Sequence, residues 1–272
     1  MATPLSAELA ALVERSLEEL RGNDAARAAL ATAPAEVAGS LPTVLAGSDF
    51  LAHACARDPQ LLVSLLTGSD LQRPLAGRDF AERAPTLPDT LPESQALERL
   101  RTWRRRELVR IAWRDLAGWA ELSETLEELT AFADAVIGQA LQHARAALAV
   151  RYGEPRSASG VVQPLVVIGM GKLGGRELNF SSDVDLVLLF PEHGETDGPR
   201  PISNEEFFTR LGQALVRLLQ TPTDAGFVLR VDLRLRPFGD SGPLVSSFAA
   251  FETTCRAMGA TGSATPTSRR DR

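Results

Sequence analysis

Cysteine and histidine are scarce in this chain. Its 272 residues include two cysteines, Cys55 and Cys255, far apart in sequence, which form neither a metal-ligand spacing nor a disulfide framework. A reduced, cytoplasmic setting is the expectation. The three histidines, His53, His143 and His193, are scattered and make no ligand constellation. Basic charge is not in surplus either. The formal net charge of −6 argues against general affinity for nucleic acid, which needs a basic surface. No uninterrupted apolar run approaches transmembrane length. Glu8 and Glu14 interrupt the apolar N-terminus, so it lacks the pattern of a signal peptide. Neither a membrane nor a nucleic acid is an expected partner. No internal repeat is present. Hydrophobic residues make up 44% and charged residues 24%, a composition that suits one large soluble domain or two modest ones.

The first half reads as helix. Leu9, Leu12, Val13, Leu17 and Leu20 recur at helical spacing until Gly22. A second helical region runs from about Val44 to Leu66, with a break near Asp58-Pro59. The Pro-rich stretch from Pro85 to Pro92 cannot continue a helix. Two long helices are predicted next, Glu93 to Gly118 and Ser123 to Tyr152, packed as a hairpin. Leu97, Leu100, Trp103, Leu108, Ile111 and Leu116 form an apolar stripe on the first. Its basic run, Arg99, Arg101, Arg104, Arg105 and Arg106, has two readings. It faces an acidic partner or nucleotide, or it is a solvated face paired with Glu98 and Glu107; the second is favoured.

Turn-rich residues from Gly153 to Gly160 mark a boundary, giving a helical domain over 1–155 and an α+β domain over 156–252. Leu165 to Ile168 is a short apolar run and reads as a buried strand. Val184 to Phe190 is a second strand. Glu205 to Gln220 is a helix, and Phe227 to Arg236 is a third strand with near-strict alternation.

Gly169, Gly171 and Gly174 match a dinucleotide-binding glycine pattern after a strand. The next strand begins too soon for that reading, because a βαβ crossover needs at least about 10–12 residues. The spacing suits a different chemistry. Asp183 and Asp185 flank Val184, and residues two apart on a strand point to one face. Such carboxylates repel each other unless a cation lies between them, and Mg²⁺ takes oxygen ligands that it shares with phosphates. The plain alternative is an exposed acidic pair at a strand end. Asp232 adds a third acid on a strand face with Arg230, Arg234 and Arg236. Three carboxylates with arginines nearby suit phosphoryl or nucleotidyl transfer, whereas the bland reading is a solvated face of charge pairs.

Residues 165–252 resemble the nucleotidyltransferase domain of the glutamine-synthetase adenylyltransferase family, the bifunctional adenylyltransferase/adenylyl-removing enzymes. The matching stretches are Gly169 to Leu186, Phe207 to Gln213 and Val231 to Val245, with Trp103 to Gly118 similar to the family's helical region. The resemblance implies an α+β architecture in which a helical region precedes a polymerase-beta-like mixed sheet. Glu177 to Ser182 and Pro191 to Gly194 resemble the family's adenylyl-removing half. That half removes AMP from a glutamine synthetase tyrosine by phosphorolysis, giving ADP.

By motif position, Asp183, Asp185 and Asp232 are then the catalytic acids and the Mg²⁺ ligands. Backbone around Gly171, Gly174 and Gly175 approaches phosphate, with Lys172, Arg176 and a hydroxyl of Ser181 or Ser182 as further candidates. Arg234 and Arg236 either bind the attacking phosphate or brace Asp232. The implied partners are adenylylated glutamine synthetase, adenine nucleotide, phosphate and the PII signal protein. The resemblance is expected to stop at Glu252. Residues 253–272 read as a disordered tail foreign to the family, so the chain is expected to be a truncated fragment, with binding without turnover as the alternative function.

Overall fold

Capping side chains set many of the helix starts. Ser6, Asn23, Ser48 and Asp58 each accept a hydrogen bond from the backbone N–H three residues on. In the computed structural model, which describes residues 6–222, 226–236 and 239–261, the chain opens with five short helices. These are α1 (Ala7–Arg21), α2 (Asp24–Thr32), α3 (Ala35–Gly47), α4 (Asp49–Arg57) and α5 (Pro59–Thr67). The predicted break at Asp58-Pro59 is present, with Pro59 opening α5 where its missing N–H is harmless. A second break at Ser48 was not visible in the apolar spacing. Then come α6 (Gly77–Arg83), α7 (Glu93–Leu116) and α8 (Leu122–Tyr152).

The described residues divide into two units. One lies within Met1–Thr86, Glu98–Val136 and Arg176–Ser181, the other within Leu87–Leu97, Ile137–Gly175 and Ser182–Arg272. The predicted boundary at 155/156 therefore differs from the packing. Each long helix contributes residues to both units, and turn residues along the sequence do not reveal that.

The helical unit holds a core of Val37, Leu45, Leu51, Leu62, Leu65 and Trp113, each almost fully buried. Within it α7 and α8 run side by side. Trp103 packs edge-on to Phe132, Arg110 meets Glu128 and Arg114 meets Glu124, so partner numbers fall along α8 as they rise along α7. That order is antiparallel, as the hairpin expectation required.

The basic run on α7 needs correction. Arg101 is buried, Arg106 pairs with Asp70 at 2.6 Å, and Glu107 is completely buried. Further along, Arg110 and Arg114 are buried as well. Arg110 meets Glu107 and Glu128, while Arg114 donates to the Leu71 carbonyl at 2.8 Å. The expected pairing with Glu107 is present at Arg106 and Arg99 is exposed, but the buried members from Arg101 to Arg114 form an internal charge network instead of a solvated face.

The sheet unit contains β1 (Pro155–Ser157), β2 (Val166–Met170), α9 (Gly171–Gly174), β3 (Val184–Phe190), β4 (Gly194–Thr196), α10 (Asn204–Gln220), β5 (Val231–Asp232), β6 (Val245–Ser247) and α11 (Phe248–Thr261). β1 and β4 form a small antiparallel pair. The main sheet is mixed and centred on β3. One edge of β3 pairs antiparallel with β2, and its other edge pairs parallel with β5 at the start and β6 at the end. Six of the seven β3 residues are buried, which suits an apolar run covered on both faces. β2 is only half-buried because, among the described residues, β3 is its only strand neighbour.

The crossover from β3 to the parallel strands passes through α10. Its predicted apolar side, Phe207, Phe208, Leu211, Leu215, Leu218 and Leu219, is buried throughout. Phe208 stacks on Phe190 of β3 with ring centroids 5.1 Å apart. A Cβ at Gly212 would come within 3.1 Å of Leu188, so glycine lets α10 lie close to the sheet.

Two expectations are overturned. The third strand is much shorter than Phe227 to Arg236, for only Val231–Asp232 pair as strand. The predicted tail also begins too early, because α11 carries helix through Thr261. Residues 262–272 lie outside the described residues. No helix of the described residues is long and apolar enough to cross a membrane.

Candidate active site

β3 and β5 set the acids. In their parallel register Val184 pairs with Val231 and Asp185 with Asp232, so two of the three predicted carboxylates sit opposite each other on neighbouring strands. Asp183 lies one residue before β3. Its Oδ1 is 2.5 Å from Nε of Arg230, and both side chains are about half exposed.

The glycine turn is built against the same strand. β2 ends at Met170, whose register partner is Asp185. Gly171 follows with φ of +53°, a conformation that disfavours residues with a Cβ. A Cβ there would also overlap the Asp185 carboxylate. Residues 171–174 then make a single helical turn, α9, closed by Gly175 N–H donating to the Gly171 carbonyl at 3.0 Å. At Gly174 a Cβ would lie 2.5 Å from the Gly169 carbonyl oxygen. The glycines thus fold the turn tightly back on β2 and bring it beside Asp185. Lys172 projects from this turn in an exposed position and is the only lysine in the sequence.

Asp232 explains why β5 is short. Its Oδ1 accepts the Arg234 backbone N–H at 2.8 Å, the bond of an Asx-type turn. The chain turns at Arg234 and Leu235 instead of continuing as strand. The Arg234 guanidinium folds back and bonds both carboxylate oxygens of Asp232. These bonds, the side-chain one first, hold the Asp232 carboxyl below its ordinary pKa. Arg236 donates to the Leu233 carbonyl at 2.7 Å. The common face predicted for Arg230, Asp232, Arg234 and Arg236 therefore ends at Asp232.

Two predicted phosphate candidates belong to the helical unit. Arg176 has a positive φ of 58° and pairs with Glu127, with Nε 2.7 Å from Oε2, and with Asp134 at 3.6 Å. Its charge is answered by two carboxylates, so it is an anchor on α8. Ser181 N–H donates to Asn179 Oδ1 at 3.3 Å, and its side chain is exposed. Ser182 belongs to the sheet unit and is partly buried.

The donor set suits a hard divalent cation in kind, since it is all carboxylate oxygen. As the side chains stand, no group of three or more such ligands converges among the described residues. Arginine already supplies positive charge at Asp183 and Asp232. Sequence reasoning placed Arg230 beside Asp232 and gave it no role. The same alternation could have paired it with Asp183, had the strand register been known.

A helical region preceding a mixed sheet, with a glycine turn against strand-borne acids, defines a nucleotidyltransferase-like α+β fold. The model of the family described as glutamate-ammonia ligase adenylyltransferase matches residues 38–261, and the chain belongs to that family. The match also extends past Glu252 to the end of α11, correcting the expected limit of resemblance. The chain is 52% identical over 214 residues to a protein of Thioalkalivibrio sulfidiphilus named bifunctional glutamine synthetase adenylyltransferase/adenylyl-removing enzyme, covering 78% of this chain and 22% of that protein. Relatives of the same name in Pseudomonas aeruginosa and Shewanella woodyi are 44% and 42% identical, each covering over 90% of this chain and 26% of the relative. The chain spans about a quarter of the length of the curated relatives it matches.

Proposed function

We propose that this chain carries a nucleotidyl-transfer site that removes AMP from an adenylylated tyrosine of glutamine synthetase. The observation that carries the reading is the joining of Gly171, Asp185 and Asp232 at one end of the sheet. The names of the relatives include both adenylyl transfer and adenylyl removal. The resemblance of residues 177–182 and 191–194 to the adenylyl-removing half favours removal.

In the proposed reaction an oxygen of inorganic phosphate attacks the AMP phosphorus. The bond from phosphorus to the tyrosine oxygen breaks, its electron pair stays on that oxygen, and the oxygen takes a proton. ADP is the second product. Asp183, Asp185 and Asp232 would hold Mg²⁺, which supplies positive charge to the phosphoryl oxygens when bound. The bare backbone of Gly171, Gly174 and Gly175 lets phosphate oxygens approach N–H groups. Lys172 adds a positive charge, and Ser182 a hydroxyl. Arg234 braces Asp232, while Arg236 supports the turn after it. A cytoplasmic setting, adenine nucleotides and the PII signal protein as a regulatory partner complete the proposal.

The test is ADP formation from adenylylated glutamine synthetase with Mg²⁺ and phosphate. Folded wild type is expected to release ADP only when both are present, and Asp185→Asn is expected to lose that release. A well-folded chain that forms no ADP contradicts the enzymatic reading. The pairing of two acids with arginine favours a second reading, nucleotide binding without turnover. That outcome would show ADP binding with no ADP formed.

A further inference from the structure

Arg230 is held at the start of β3 by its backbone, and it reaches the first acid of the site by its side chain alone. The Val184 N–H donates to the Arg230 carbonyl at 2.8 Å, fixing the arginine backbone beside the start of β3. Its guanidinium then reaches Asp183 and lies 5.7 Å from the centroid of the Phe227 ring. The pair is about half exposed, so water screens it and the bond is easily exchanged. Arg234 differs, because its bonds to Asp232 run through backbone and side chain together.

A divalent cation and a phosphate group would offer each member of the Arg230–Asp183 pair a better partner. A carboxylate is a natural Mg²⁺ ligand, and a guanidinium fork matches two phosphate oxygens. We propose that Arg230 is a substrate-binding residue, which occupies Asp183 in the absence of ligand and transfers to a phosphate group when Asp183 takes the cation. The inference rests on the proposed nucleotidyl-transfer reading and adds a residue to it. The phosphate belongs either to the nucleotide or to free inorganic phosphate.

The exchange predicts effects of opposite sign in one variant. In Arg230→Gln, Mg²⁺ alone should bind several-fold more tightly than to wild type, because its competitor for Asp183 is gone. With Mg²⁺ saturating, ADP or inorganic phosphate should bind about tenfold more weakly, because a charge-assisted contact is lost. Calorimetric titration of Mg²⁺, ADP and phosphate reads each arm separately. Weakening of ADP alone assigns Arg230 to the nucleotide, and weakening of phosphate alone assigns it to the attacking anion; either supports the exchange. Arg230→Lys should fall between the two for the phosphate arm, and serves if the glutamine variant does not fold. A merely structural arginine would leave Mg²⁺ binding unchanged or weaken it, and that result overturns the proposal. If wild type binds ADP and phosphate and the variant matches it, the Arg230 assignment alone fails. If wild type binds neither, the nucleotidyl-transfer reading fails with it.

Discussion

In the helical unit Arg110, Glu107 and Glu128 meet with almost no exposure to water, whereas in the sheet unit Arg230 and Asp183 meet with each side chain about half exposed. The chemical pairing is the same and its consequence is not. A buried charge has no solvent to fall back on, so its partners cannot be removed one at a time. An exposed pair can trade either partner for a ligand at little cost. The first arrangement suits scaffolding, the second suits a site whose carboxylates must change hands. Arg234 and Asp232 lie between these extremes, since the carboxylate is mostly covered and the arginine mostly exposed.

The largest effect should come from breaking the buried side. Glu128 accepts both the Leu75 N–H and Arg110. Glu128→Ala leaves a buried guanidinium and amide short of an acceptor, and should destabilise the fold by about 3–5 kcal/mol in urea titration. Next is Asp185→Asn, which should lower ADP release about 100-fold or more, equivalent to about 2.7 kcal/mol of barrier, with little change in melting temperature. Gly171→Ala combines a strained backbone with overlap against Asp185. It should cost about 1–3 kcal/mol of stability and weaken nucleotide binding as well.

Acid titration compares smaller effects. Arg83 first, then Arg106, hold Asp70 below its ordinary pKa of 3.8 in the folded protein. A depressed folded pKa means stability that is present above the unfolded value and is lost as pH falls below it. Unfolding free energy should therefore hold above about pH 4 and decline below it, with a shallower decline in Asp70→Asn. The smallest effect expected is that of Arg234→Ala, under about 1 kcal/mol, because its guanidinium is mostly in water. A loss as large as that of Glu128→Ala would erase the distinction between the two kinds of pair.

The apolar pattern made much of the architecture legible. The α7 stripe, the β3 run and the buried side of α10 all appear where periodicity placed them. Charge was harder to read. The burial of Arg110 and Arg114 goes with Glu128, Glu124 and the Leu71 carbonyl arriving from elsewhere in the chain, and spacing along one helix carries no sign of that. β5 alternates like a long strand, but the Asp232 side chain captures the Arg234 N–H and turns the backbone away. The acids themselves were readable because two-residue spacing on β3 is local. Arg230 was missed because its partner is set by strand register across β3 and β5.

Lys172 offers the most direct test of the central claim, that the glycine turn and the neighbouring acids receive a nucleotide phosphate. It is the sole lysine and is exposed, so peptide mapping after treatment with an amine-reactive reagent reads one side chain at the turn. Saturating ADP with Mg²⁺ should slow modification of Lys172 several-fold in wild type and much less in Asp185→Asn. Equal modification of Lys172 with and without bound ADP would contradict the placement of phosphate at this turn.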